Sequence, residues 1–110
     1  MTPSRISLRT GAFVLGLLAA SNARAGGGEE VFANYCAPCH GLDGKARTPA
    51  GKKAGAKDLS ESKLADAAIE TQIRDGTKNK NGSDRMPAFK DRLTPDQIAQ
   101  LVAFVKTFRR

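Results

Sequence analysis

The chain has 110 residues and carries 18 Lys and Arg against 11 Asp and Glu, a formal charge of +7 with its single His neutral. It contains two Cys, no Trp, five Phe and one Tyr, which is little aromatic mass for a core. A chain this short excludes a multidomain enzyme, and four Cys or His ligands for a structural zinc ion are not present.

The N-terminal segment differs from the rest. Arg5 and Arg9 make a basic opening, residues 11–20 form an apolar run with Phe13, Val14, Leu15, Leu17 and Leu18, and Ala23-Arg24-Ala25 ends it. That layout is a secretory signal peptide, with cleavage expected after Ala25. The apolar run falls well short of the ~20 residues that span a bilayer, so no stable membrane insertion of the mature chain is expected. Residues 1–25 hold three of the 18 basic residues and none of the 11 acidic ones, so a mature chain of residues 26–110 has a formal charge of +4. At 85 residues it is one domain of a size that often recruits a staple. A basic surface suits acidic partners, but neither an Arg-rich helix nor a basic stripe interleaved with aromatics is present, which argues against nucleic acid.

Residues 29–35 place Phe32 and Tyr35 three apart behind two Glu, and predict a short helix running into the cysteines. There follows Cys36-Ala37-Pro38-Cys39-His40, the C-x-x-C-H attachment signal for c-type haem. On one turn of chain two thiols can meet the two vinyl groups of a porphyrin, and the adjacent imidazole then points at the iron. A thioredoxin-like pair would need a strand–helix–strand context, which the pattern lacks, and a plain disulfide leaves His40 unexplained.

Residues 41–62 contain four Gly, Pro49 and the basic residues Lys45, Arg47, Lys52, Lys53 and Lys57, without periodicity, and are expected to be a long loop wrapped on a cofactor. Leu64, Ala68, Ile69, Gln72 and Ile73 trace one face of a helix expected to stop at Gly76. Residues 77–84 read as polar loop.

Met86 follows, in Arg85-Met86-Pro87-Ala88-Phe89. Met1 leaves with the leader, so Met86 is the sole thioether of the mature chain. Its non-helical setting, the stiffening Pro87 and its separation from His40 make it the candidate sixth iron ligand, with lysine or water as alternatives. His40 is the only histidine, so a bis-histidine haem within this chain is excluded. A soft, neutral thioether opposite the imidazole would favour ferrous iron, and an iron filled on both sides favours electron transfer over catalysis.

The last element is predicted from Thr94 as cap, Pro95 at the first helical position and Gln97 completing a capping box. Ile98, Leu101, Val102, Val105 and Phe108 form its apolar stripe. No strand alternation is seen, and the expected class is all-α: three to four helices and long loops around one covalent haem.

CysAlaProCysHis, MetProAlaPhe and the closing amphipathic helix together resemble a class I c-type cytochrome, over most of residues 31–110. MetProAlaPheLysAspArgLeu followed by ThrProAspGlnIle is similar to the small soluble carriers of bacteria and photosynthetic organelles. The resemblance implies one covalent haem c on Cys36 and Cys39, His40 and Met86 as axial ligands, and first and last helices that cross, Gly28 and Phe32 against Leu101 and Phe104. It also implies a proline carbonyl that accepts the hydrogen bond of the proximal imidazole, for which Pro49 is the candidate.

The function expected is a periplasmic one-electron carrier, a monomer and not an enzyme. Its expected partners are redox proteins, with an acidic docking surface that would face the Lys45 to Lys57 run. Two alternatives stay open. One is a haem enzyme or ligand-binding haem protein with a displaceable sixth ligand, which would lack a second histidine as acid or base. The other is the cytochrome subunit of a larger oxidoreductase.

Overall fold

A computed structural model describes residues 25–110. The expected leader lies outside them, apart from Ala25 itself. The described chain runs α1 (Ala25–Tyr35), α2 (Ala37–His40), α3 (Pro49–Ala54), a 3₁₀ turn (Leu59–Glu61), α4 (Asp66–Asp75), strands β1 (Thr77–Lys78) and β2 (Asp84–Met86), α5 (Pro95–Val105) and a 3₁₀ turn (Lys106–Phe108). The architecture is helical, as expected. One short antiparallel ladder corrects the expectation of no strand: Thr77 pairs with Met86 and Lys78 with Asp84, around an irregularity between Thr77 and Lys78.

The first and last helices cross as the resemblance implies. Their approach is close because Gly28 has no side chain: a Cβ there would lie 2.3 Å from the Gln100 carbonyl oxygen and 2.8 Å from Phe104 Cβ. Phe32 and Leu101 are fully buried at this crossing. Phe32, Phe104 and Phe108 form a ring cluster with centroids 5.1 to 5.3 Å apart, a spacing that favours tilted aromatic pairs. The helix itself begins at Ala25, four residues before the expected Glu29. Glycines 26–28 are poor helix formers in isolation, and here packing on α5 outweighs propensity.

The capping box of α5 is made in both directions, Gln97 N–H donating to Thr94 Oγ1 at 3.1 Å and Thr94 N–H to Gln97 Oε1 at 2.9 Å. Ile98, Leu101 and Val102 are buried beneath it. The stripe continues to Phe108, but beyond Val105 the backbone tightens into a 3₁₀ turn.

α4 buries Ile69 and Ile73 and stops at Gly76, whose φ is +69° and whose N–H reaches the Gln72 carbonyl. Leu64 precedes the helix and is exposed, not part of its face. Carbonyls left open at the α4 C-terminus are used by the next segment: Phe89 N–H donates to Ile73 O and Lys90 N–H to Arg74 O. The chain just after Met86 is thereby tied to α4, and the Met86 carbonyl lies where a Cβ on Gly76 would be, 2.3 Å away.

The expected loop over 41–62 is more ordered than its sequence pattern indicates. It holds α3, with Thr48 as cap and Pro49 first in the helix, and the 3₁₀ turn capped by Asp58. Six residues are too few to show an apolar period, so only the cap signal marks α3 in the sequence.

Candidate functional site

α1 delivers its last residues directly into the cysteine segment, Cys36 N–H donating to Phe32 O at 2.8 Å. α2 then turns once through Ala37–His40, with His40 N–H on Cys36 O, so both thiols and the imidazole leave one turn of helix. Cys36 is buried and Cys39 half-buried, and no disulfide joins them. Burial, with a smaller contribution from Cys39, pushes the Cys36 thiol up to about 11.

His40 Nδ1 lies 3.0 Å from the carbonyl oxygen of Lys57. This corrects the expected role of Pro49: the acceptor is eight residues further on, and Pro49 instead starts α3. With Nδ1–H donating to Lys57 O, the Nε2 lone pair is free to ligate a metal. Burial lowers the His40 pKa and outweighs the opposing effect of the bond to Lys57, so the neutral imidazole is favoured. A backbone carbonyl leaves no side-chain signature, which is why the sequence alone pointed to the wrong residue.

These groups open onto one cleft. Its lining includes Cys36, Cys39 and His40 from the cysteine segment, Met86, Pro87 and Phe89 from β2 and the chain after it, and Phe32, Ile69, Ile73, Leu101 and Val105 from the helices. Lys57, Arg85 and Arg109 are its basic residues. Empty space in it and in the solvent at its open mouth is together about 1180 Å³, far more than an ion needs. Among the described residues no group of three or more His, Cys, Asp or Glu could hold a bare metal ion. Two thiols, one imidazole and one thioether around a large apolar cleft fit a metalloporphyrin, which brings four of the iron's ligands itself.

Other constituents of the site carry no signal in composition or period. Thr48 Oγ1 faces the carbonyls of Pro38 (2.9 Å) and Cys39 (2.8 Å) and accepts the Gly51 N–H (2.9 Å), locking α3 onto α2. Gly51 sits so close that a Cβ would be 2.1 Å from the Cys39 carbonyl oxygen.

The family model described as cytochrome c oxidase, cbb3-type, subunit III matches residues 23–105. The chain belongs to the class I c-type cytochromes. Cytochrome c6 of Gloeothece citriformis is 42% identical over 82 residues, covering 74% of this chain and 68% of that one. Cytochrome c6 of Nostoc sp. is 38% identical over 101 residues, 91% and 82% of the two chains. A solved structure, the KustC0563 c-type cytochrome, superposes with a TM-score of 0.66 at 32% identity, over 76% of this chain and 98% of its own. The FixP subunit of the cbb3-type oxidase of Rhizobium meliloti is 36% identical, but this cytochrome spans only 25% of it. The cofactor is one covalent haem c, and the protein is an electron carrier. Among the described residues no helix is long and apolar enough to cross a membrane.

Proposed function

We propose that this cytochrome is an exported, periplasmic one-electron carrier whose haem is held by Cys36 and Cys39 through thioether bonds and by His40 and Met86 as axial ligands. One observation carries the reading: His40 has its Nδ1 committed to Lys57 O in the same cleft that Cys36, Cys39 and Met86 line. When bound, the haem iron supplies a reversible one-electron couple.

The protein's residues set how that couple behaves. The Lys57 carbonyl fixes the imidazole tautomer and makes Nε2 more electron-rich. Met86 is half-buried on β2, beside Pro87, and its segment is held to α4 by the backbone bonds of Phe89 and Lys90. A soft sulfur ligand and apolar walls both favour ferrous iron, which raises the potential. His40 and Met86 would leave the iron no open coordination site, and the chain's one histidine leaves no second imidazole for acid–base work, which supports a carrier and not an enzyme.

Export rests on residues 1–25, which carry the basic, apolar and small-residue regions of a signal peptide ahead of the domain over 26–110. Arg47, Lys52, Lys53 and Lys57 are exposed on and around α3 and form a basic face for an acidic redox partner, which a monomer would meet transiently. The similarity to cytochrome c6, at 42% and 38% identity, supports a carrier.

The test is the full chain expressed with haem-attachment machinery and recovered from the periplasm. A mass increase of one haem, an N-terminus at Gly26 and a weak sulfur-to-iron charge-transfer band that Met86→Ala abolishes are expected. A colourless protein without added mass overturns the reading. Elution at monomer size and transfer rates to an acidic partner that fall with rising salt are also expected; rates indifferent to salt would remove the docking face.

A further inference from the structure

α3 lies between the two segments that bear the axial ligands and is bonded to both. Its first turn is fixed to the cysteine segment through Thr48 and the Cys39 carbonyl. Its far end is fixed by a residue from the opposite wall. Arg85, the immediate neighbour of Met86, donates from Nε to Ala54 O at 3.2 Å and from Nη2 to Gly55 O.

Those acceptors belong to a helix end. Gly55 is left-handed with φ +68°, and the N–H groups of Gly55 and Ala56 turn back to Lys52 O and Gly51 O. This leaves Ala54 O and Gly55 O pointing outward without partners on their own element. A guanidinium fork spans two such carbonyls and its charge meets the negative helix end. Gly55 also makes the room, since a Cβ there would stand 3.0 Å from Arg85 Nη2. Two residues beyond, Lys57 gives its carbonyl to His40 Nδ1.

We infer that Arg85 is a positioning residue which latches the Met86 segment to residues 54–57, so that one short stretch of chain holds both axial ligands in place. This rests on the ligand assignment proposed above. Breaking the latch raises the fraction of molecules in which Met86 has swung away from the iron, while leaving the α1–α5 core intact. Apparent affinity for an outside ligand rises in proportion to that open fraction.

The experiment uses the exported, haem-loaded full chain in its ferric form and titrates it with imidazole, reading the sulfur-to-iron band. Arg85→Gln removes the charge and the fork. Losing hydrogen bonds from a charged donor at a part-exposed site predicts roughly tenfold tighter imidazole binding. Arg85→Lys, with charge but no fork, is expected to fall between Arg85→Gln and the wild type. Lys90→Gln, which changes charge equally on an exposed side chain, should match the wild type. If Arg85→Gln does not load haem, Arg85→Lys decides alone. Imidazole affinity unchanged from the wild type, with the band present in both, overturns the latch even if the variant melts earlier. A wild type that lacks the band and binds imidazole as tightly as Met86→Ala overturns the ligand assignment and the latch with it.

Discussion

The α1–α5 crossing and the strap over 41–62 are held by opposite means. At the crossing the contacts are apolar and close: Gly28 against the α5 backbone, Phe32 and Leu101 fully buried, three phenylalanine rings in mutual contact. In the strap few apolar side chains are buried, Ala46 and, in part, Leu59. Thr48 bonds it to the Cys39 carbonyl, the Lys57 carbonyl accepts from His40, Arg85 of β2 donates to Ala54 O, and Asp58 caps its own turn by accepting from Ser60. Burial of apolar area is non-directional and sets how stable the domain is, whereas hydrogen bonds to fixed carbonyls are directional and set where the ligands sit. The two regions should therefore fail differently, the first by melting and the second by detuning the iron.

The largest effect belongs to the crossing. Leu101→Ala leaves a cavity at a position with no exposed surface and should lower unfolding free energy by about 2 to 5 kcal/mol. Chemical denaturation of the haem-loaded protein reads this, and the sulfur-to-iron band at room temperature should be unchanged. Loss of the band without loss of stability would reverse the division of labour. Next comes Gly51→Ala, where a methyl group would meet the Cys39 carbonyl oxygen at 2.1 Å. Overpacking of this kind costs about 1 to 3 kcal/mol, and because Cys39 adjoins His40 the reduction potential should move too.

A matched pair sharpens the contrast. Thr48 and Thr94 each precede a proline and each cap a helix, and loss of such a cap costs about 1 kcal/mol. Thr48 also bonds the Cys39 carbonyl, which Thr94 does not. Thr48→Ala is expected to destabilise more than Thr94→Ala and to shift the potential, while Thr94→Ala changes stability alone. Equal effects on both measurements would mean that the strap is scaffold only.

The same pair explains what could be read in advance. α5 was legible because a cap signal introduces an eleven-residue apolar stripe, and the C-x-x-C-H segment because its spacing is tied to the chemistry of two vinyl groups. Thr48-Pro49 repeats the Thr94-Pro95 signal, but α3 ends after six residues and buries only Gly51, so no periodicity confirms it. The acceptor for His40 could not be read at all, because it is a backbone oxygen whose place depends on how the strap folds, and Pro49 was the natural but mistaken choice. Met86 is proposed as a ligand by elimination, and its place on a strand carries no sequence signal, since a three-residue strand is too short to alternate.

The smallest effect concerns the acid side of stability, and it too lies in the strap. Asp58 caps the turn that follows Lys57, accepting from Ser60 Oγ at 2.7 Å and Ser60 N–H at 2.9 Å. The Ser60 hydroxyl is the main cause that holds its carboxyl below the usual range, aided by the Ser60 N–H and the charges of Arg110 and Lys45, against partial desolvation. Because the folded value lies below the unfolded one, near 3.9, the contribution is complete above the unfolded value and disappears as pH falls through the folded one. Thermal unfolding followed from about pH 5 to about pH 2 should thus show a shallower acid decline for Asp58→Asn than for the wild type. Since the carboxylate is solvent-accessible, the difference should be small and should shrink in salt. Parallel curves would show that the Ser60 bonds persist on the protonated acid, and that the turn beside Lys57 is held without the charge.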